Sequence, residues 1–435
     1  MDKSTTTKPL NADQQAAAEG FFKSLFDPNI KEMNISGPGG VGKTFLMAHI
    51  IDEVMPQYEE ACKLMGVKSE FDTVVMTATT NKAAEVLAQA TNRPTSTIQS
   101  HLGLTIRNNF QTGETDLIKS RSWDVKERQI VFVDEASMID TKLRSYILEG
   151  QSKSKIVYVG DHCQLPPIKE ELSPIYTNNL PMFKLLTPMR TDKPELLALN
   201  QMYRDIVEGK RDFGNIQCYP GIIDHVDGEQ MEELLRTHFN GPNKNRVLAY
   251  SNRQVLLYTD HIREQQGYRG EFDIGEELVV NQGFQRGQDR LSNEQEVTII
   301  EKSSILDNVR IDVDVTLECR RVGLDTGYGG VMHDVLLPID RDHYTALCKY
   351  YAKQKNWERY FYLKDGFPDL RAKDACTVHK GQGSSYDTVF IDLGDLSTCN
   401  NPTVAARLFY VAVSRARNRV VMYGNLAPKY GQIVH

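Results

Sequence analysis

The sequence predicts an α/β protein of two strand–helix units, with a β-hairpin inserted in the first and a β-rich, partly helical insertion in the second. Three observations carry this. Gly37-Pro38-Gly39-Gly40-Val41-Gly42-Lys43-Thr44 fits the phosphate-loop pattern G-x-x-x-x-G-K-[ST], with a strand-like Met33 to Ser36 before it and helical periodicity over Phe45 to Val54 after it. Short apolar runs that end in polar turns recur at Thr73 to Met76, Gln129 to Val133, Ile156 to Val159, Arg246 to Tyr250 and Thr388 to Asp392. Between about 265 and 370 the texture changes to strand-like runs and Gly-rich turns, then a Tyr- and Lys-rich helical arm over His343 to Trp357.

The first elements follow from local chemistry. Asn11 is an N-cap for a helix that carries Gln14, whose amide can pair with an adenine edge. In the phosphate loop the glycines turn backbone N–H groups toward phosphate oxygens, and the helix N-terminus adds positive potential. Lys43 is expected to reach the β/γ-phosphates, and the Thr44 hydroxyl to sit on Mg²⁺. The strand before Thr77-Ala78-Thr79-Thr80-Asn81 ends in hydroxyls that can grip a phosphodiester backbone. Thr95 to His101 is a second polar turn. Leu104 to Ser120 reads as a hairpin turning at 109–115, with Phe110 near its tip.

The later elements add acids and a sensor. The Gln129 to Val133 strand ends in Asp134-Glu135-Ala136-Ser137, at the strand edge where open α/β sheets place ligands. Asp134 would hold Mg²⁺ and Glu135 would polarise the attacking water. Ile156 to Val159 leads into Gly160-Asp161-His162-Cys163-Gln164-Leu165-Pro166-Pro167, where Gln164 can touch both the γ-phosphate and the water. Arg190 follows. The second unit begins at Arg246 to Tyr250, whose end carries Asn252. It closes with Thr377 to Ser385, a strand, a helix over Ala405 to Val413, Ser414-Arg415-Ala416-Arg417 and a last strand over Arg419 to Tyr423.

Composition sets bounds. The chain has 435 residues, enough for two to four domains, with 40% apolar and 25% charged residues. Net charge is −7, so a nucleic-acid partner would be held by local basic patches and not by bulk charge. The seven cysteines form no C-x-x-C pair, which suits reduced thiols in a cytoplasm better than a disulfide or zinc framework. No apolar run approaches the roughly 18 residues of a membrane span. Residues 1–9 are polar and read as a loose tail without a signal-peptide core.

Taken in order, Gly37–Thr44, Asp134–Met138, Gly160–Pro167, Thr377–Ser385 and Tyr410–Arg417 resemble the motifs of superfamily 1 helicases. The resemblance is closest to the small RecD-like branch and its bacteriophage members. It implies two RecA-like parallel-sheet motor domains, over 10–190 and over 191–264 with 371–435. A strand-separating hairpin would occupy about 102–122, and a small β-barrel with a helical extension 265–370. It implies an ATP- and Mg²⁺-dependent DNA helicase that moves 5′→3′ on single-stranded DNA and opens forks. Its setting would be phage DNA replication or recombination in a host cytoplasm. The chain would act as a monomer, with a single-strand-binding protein as a partner by analogy.

The resemblance also assigns residues. Gln14 is the adenine reader, Gln164 the γ-phosphate sensor, and Arg190 and Arg415 two arginine fingers. Gln382 and Gly383 join the strand-binding element to the nucleotide cleft. Thr80, Thr97, Thr377 and His379 fall at the family's DNA contacts. Asn81, Phe110 and Asn252 are further DNA-binding candidates read from the residues themselves, with a packed hairpin residue the other reading of Phe110. Two departures stand out: Thr79 occupies a position usually proline, and the T-I-H-S element reads Thr97-Ile98-Gln99-Ser100. Two other readings of the same residues are a superfamily 1 RNA helicase or remodeller, and an ATP-gated single-strand-binding factor that hydrolyses without unwinding.

Overall fold

A computed structural model describes residues 9–167, 170–188, 191–241, 244–287, 289–327 and 330–435. The chain forms two compact units. The first comprises the described parts of Met1–Gly103, Arg121–Val226 and Val378–His435, and the second those of Leu104–Ser120 and Asp227–Thr377. The hairpin expected as part of the first motor thus clusters with the second unit.

In the first unit, six strands form one sheet in the order Met182–Lys184, Glu32–Ser36, Lys155–Gly160, Gln129–Asp134, Thr73–Ala78, Thr95–Thr97. Every neighbouring pair is parallel. The central strands are near-continuous apolar runs because helices cover both faces. Ile35, Ile130, Phe132, Val157 and Val159 are buried there with Phe21, Leu46 and Ile50. Both edge strands, Thr95–Thr97 and Met182–Lys184, are only three residues long.

The helix after the phosphate loop is continuous but not uniform. It runs as α-helix over Lys43–His49, as a π-turn over Ile50–Val54, and as α-helix again over Met55–Leu64. Pro56 explains this: it has no N–H for the carbonyl four residues back, and a π-turn resets the ladder there. Across the turn the Met55 N–H donates to the Ile50 carbonyl.

The same unit also holds Ile223–Val226, Ala416–Tyr423 and Tyr386–Asp392, paired parallel in that order. The Pro402–Ser414 helix has ten consecutive buried residues, from Ala405 to Ser414.

In the second unit, Asn245–Ala249 pairs parallel with Ala375–Thr377. The β-rich insertion is a five-stranded antiparallel sheet. Its order runs from Gly330–Pro338 through Val315–Gly327, Glu296–Asp312 and Glu277–Val280 to Leu370–Ala372. The short strand-like runs expected at Glu296 to Glu301 and Val309 to Glu318 instead fall within one long hairpin, the second across its turn, with arms of 17 and 13 residues. Register shifts at Ile299/Glu301 and Lys302/Leu306 interrupt their alternation, which hides their length from a period-two reading. The far end of this hairpin packs Ile311, Leu317 and Cys319 against Tyr351, Leu363 and Phe367. These last belong to, or follow, the Arg341–Lys353 and Trp357–Gly366 helices.

The predicted insertion hairpin pairs Leu104–Asn108 with Thr115–Lys119 in register Leu104↔Lys119 to Asn108↔Thr115. Its tip rests on the Trp357–Gly366 helix. Phe110 meets Phe361 edge to face at 5.2 Å, and the Trp357 indole N–H donates to the Gln111 carbonyl at 3.1 Å. Asn108 donates to Asp365 at 2.6 Å. Gly113 has φ +74°, and a Cβ there would fall 2.2 Å from the Trp357 ring, so the turn needs glycine twice over.

Candidate active site

The phosphate loop leaves the Glu32–Ser36 strand and enters the Lys43–His49 helix. Gly40 and Gly42 sit at φ +84° and +79°, the left-handed region that glycine enters without penalty. Lys43 Nζ donates to the carbonyls of Gly37 at 2.7 Å and Pro38 at 2.9 Å. Gln14 is fully buried and braces the loop from behind. Its amide donates to the Val41 carbonyl at 3.2 Å, and its Oε1 accepts from the Asn11 N–H as half of a capping box. The amide expected to read adenine is therefore engaged with the chain itself.

Asp134 and Glu135 close the Gln129–Asp134 strand. Burial, and then the neighbouring Glu135 charge, push Asp134 up to about 7, while Lys43 pulls the other way. A cation beside Asp134 would offset both causes, so the Asp134 and Thr44 donor set fits a hard divalent ion. Glu135 has φ +53°, rare for a non-glycine residue. Thr79 secures that conformation: its N–H donates to the Asp134 carbonyl at 3.2 Å and its hydroxyl to the Glu135 carbonyl at 3.2 Å. Proline at 79 could make neither bond. The second departure meets the first, because Gln99 Nε2 donates to the Thr79 carbonyl at 3.3 Å. His101 faces inward, 3.1 Å from Gln129 Oε1.

The sensor loop is clasped from two helices. Asp161 is fully buried. It accepts from Arg204 at 2.9 Å, the Tyr410 hydroxyl at 2.5 Å and the Cys163 N–H at 3.1 Å. Burial pushes its pKa up, but Arg204, Lys43 and the Tyr410 hydrogen bond outweigh that and hold it below the usual value. His162 Nδ1 lies 3.0 Å from Ser36 Oγ, and its Nε2 2.9 Å from Glu208. Arg407 donates to the backbone carbonyls of His162 at 2.5 Å and Gln164 at 2.7 Å.

Gln164 is thus fixed by its backbone, while its Oε1 makes no hydrogen bond within the protein. Asp161, His162 and Cys163 also cluster as metal ligands do. Asp161 is already saturated by a guanidinium, a phenol and an amide, which disfavours a cation there.

Gln382 donates to Ser137 Oγ at 2.9 Å. Gly383, at φ +80°, would place a Cβ 3.4 Å from Glu135 Oε1. Arg415 is buried and donates to Val411 O, Ser414 Oγ and Ser384 O, at 2.8–3.2 Å. Among the described residues neither Arg407 nor Arg415 has a carboxylate partner. Arg190 lies outside the described residues. Glu135 Oε2, Gln164 Oε1 and Gln382 Oε1 are all buried without a hydrogen bond in the protein. Each such group costs about 1–3 kcal/mol unless something else satisfies it.

The expected strand contacts divide. Thr80 and Thr97 cap the Asn81–Thr91 and Ile98–His101 helices, accepting from Ala83 and Ser100 N–H groups. They sit at the ends of adjacent strands, with Ala78 opposite Thr97. A capping hydroxyl still has its own proton to donate. Asn81 is part-exposed, while Phe110 is 58% exposed and His379 exposed. Asn252 is exposed and accepts from Arg371 at 3.2 Å. Thr377 is only 8% exposed, at the end of the edge strand that pairs with Asn245–Ala249. Sequence reading missed Asp161, Arg204, Arg407 and Tyr410. Asp161 and Tyr410 lay in recognised motifs, and Arg204 and Arg407 did not.

An AAA domain family model matches residues 9–215, and a UvrD-like helicase C-terminal domain model matches 374–423. The phosphate loop, the paired acids and the sensor loop define a P-loop nucleoside triphosphatase with superfamily 1 architecture. The chain is 23% identical over 430 residues to the ATP-dependent DNA helicase Dda of Enterobacteria phage T4, covering 88% of this chain and 92% of that one. It is 29% identical over 154 residues to the RecBCD enzyme subunit RecD of Buchnera aphidicola, covering 31% of this chain and 23% of RecD. Its fold matches the Pif1 helicase from Bacteroides, solved with ADP-AlF3 and single-stranded DNA. That match has TM-score 0.51 and 14% identity, and covers 97% and 94% of the two chains. In sequence the chain is thus similar to superfamily 1 helicases, Dda among them, and it shares the fold of Pif1. Among the described residues, no helix is long and apolar enough to cross a membrane.

Proposed function

We propose that this protein is an ATP-dependent DNA helicase that translocates 5′→3′ on single-stranded DNA and separates duplexes at forks, in phage DNA replication or recombination. The observation that carries the reading is the set of buried, unpartnered oxygens on Glu135, Gln164 and Gln382 beside the phosphate loop. Acceptors left over by the fold are what a water and a phosphate with its cation would satisfy. Thr44 and Asp134 would hold Mg²⁺, whose charge would offset that of the phosphates. Glu135 takes the proton of the attacking water, Gln164 orients that water, and Lys43 leaves the loop carbonyls for the β/γ-phosphates.

Arg415, with no acid to hold it, is free to exchange the Ser384 carbonyl for phosphate charge. Such a finger is worth about 10³–10⁵ in rate in comparable enzymes. Gln14 supports nucleotide binding by bracing the loop. Thr80, Asn81, Thr97, Asn252, Thr377 and His379 would hold the strand. Their alternating grip becomes movement. The hairpin tip, held by the Trp357–Gly366 helix, would be the wedge, with Phe110 and the exposed Ile106 as its apolar surface.

The test is strand displacement on DNA duplexes with a 5′ or a 3′ tail, run with wild type and Lys43→Ala. The expected result is ATP-dependent opening of the 5′-tailed duplex alone, lost in Lys43→Ala while single-strand binding survives. Opening of RNA but not DNA would favour the remodeller reading. Hydrolysis without opening would favour the binding factor.

A further inference from the structure

We propose that Tyr176 is a further catalytic residue of this site, its hydroxyl donating a hydrogen bond to the water that attacks the γ-phosphate. The inference rests on the hydrolytic reading above. Tyr176 lies in the short Pro174–Thr177 helix after the sensor loop. Its Oη is buried and makes no hydrogen bond within the protein, although a phenol that goes inside normally finds a partner.

The hydroxyl lies against the catalytic strand ends. A Cβ built on Gly160 would fall 2.6 Å from Tyr176 Oη, 3.1 Å from Ala136 N and 3.3 Å from Ser137 N. Glycine at 160 therefore leaves room for this hydroxyl beside the backbone that follows Glu135. The short helix that carries the ring is also held in place, and the ring itself meets His162 edge to face at 6.0 Å. The Ser173 hydroxyl donates to the carbonyls of Ala136 at 3.2 Å and Ile139 at 2.6 Å. The Tyr176 N–H donates to Ser173 O at 3.0 Å, and Ile175 is buried. Burial, and then Asp161 and Glu135, raise the phenol well above its ordinary pKa, so it stays a donor.

The donor and acceptor count of one water then closes. Its two O–H groups meet two unpartnered acceptors, Glu135 Oε2 and Gln164 Oε1. One lone pair accepts from Tyr176, and the other points at phosphorus. In the step, the water oxygen–Pγ bond forms and the bond from Pγ to the bridging oxygen breaks. ADP leaves with that electron pair, the water's proton goes to Glu135, and phosphate departs. Tyr176 keeps its own proton throughout.

The variant Tyr176→Phe removes only the hydroxyl. Loss of the donor that holds the water in line for attack predicts a roughly ten- to hundredfold fall in kcat of DNA-stimulated ATP hydrolysis. KM for ATP stays within twofold. The thermal midpoint stays level or rises, because an unsatisfied polar atom has been removed. A kcat within twofold of wild type would overturn the proposal, and so would a fall in kcat matched by a fall in midpoint. If wild type itself showed no DNA-stimulated hydrolysis, the helicase reading would fail instead, so the two failures are distinct.

Discussion

The Asp161–Arg204 pair joins the sensor loop to the Pro194–Val207 helix, and Arg204→Met tests what it holds. Asp161 is fully buried and Arg204 is 4% exposed. Removing the guanidinium leaves the carboxylate with only the Tyr410 hydroxyl and the Cys163 N–H. Breaking one side of such a pair costs about 3–5 kcal/mol, because the remaining charge is stranded. Asp161→Asn should cost less, since Arg204 retains Glu208 at 3.4 Å. The double variant should lie closer to wild type than the two singles combined, by about 2 kcal/mol or more. Urea midpoints of the four full-length proteins measure this. Because the loop carries Gln164, Arg204→Met should also slow ATP turnover. Strictly additive midpoints would show that the pair is not a unit, and the account of the clasp would fall.

Three further outcomes are expected. Trp357→Ala removes the indole bond to Gln111 and the ring beneath Gly113; strand displacement should fall roughly fivefold for about 1 kcal/mol of lost anchoring, with ATP hydrolysis within twofold, and equal loss of both activities would count against a wedge role. Thr79→Pro restores the residue common in the family but deletes two hydrogen bonds to Asp134 and Glu135. It should destabilise by about 1–3 kcal/mol and lower kcat, and a more stable protein would contradict that role for Thr79. Burial lowers the His162 pKa, although Asp161 and Glu208 oppose this and Arg204 adds to it. The unfolded chain therefore takes up this proton first, and stability falls as pH drops below about 6.5, by up to about 1.4 kcal/mol per unit. His162→Asn should flatten the change in urea midpoint between pH 7 and 5.5, and an unchanged slope would refute it.

Much of the motor was legible because its signals are local. The phosphate loop, the acids after Val133 and the sensor loop are each set by a few adjacent residues, and the capping residues Asn11 and Thr80 mark their own helices. Length and distance hid the rest. Thr95–Thr97 looks like a turn because an edge strand of three polar residues has no period to read. The long hairpin over Glu296–Asp312 and Val315–Gly327 was broken into short runs by its own register shifts. Arg204 meets Asp161 across 43 positions and Tyr410 across 206, and no pattern within a window links them. Nor does anything near Tyr176 mark its hydroxyl as unpartnered; that depends on Gly160 and Ala136 brought alongside it.

The hairpin tip has one more implication. Its turn is completed by an indole 246 positions further along the chain, at a glycine that tolerates no side chain. The hairpin is therefore not a portable module: grafted onto a cousin without a matching helix, it would lose the surface that shapes its end. Any exchange of such tips between relatives would have to carry both segments together.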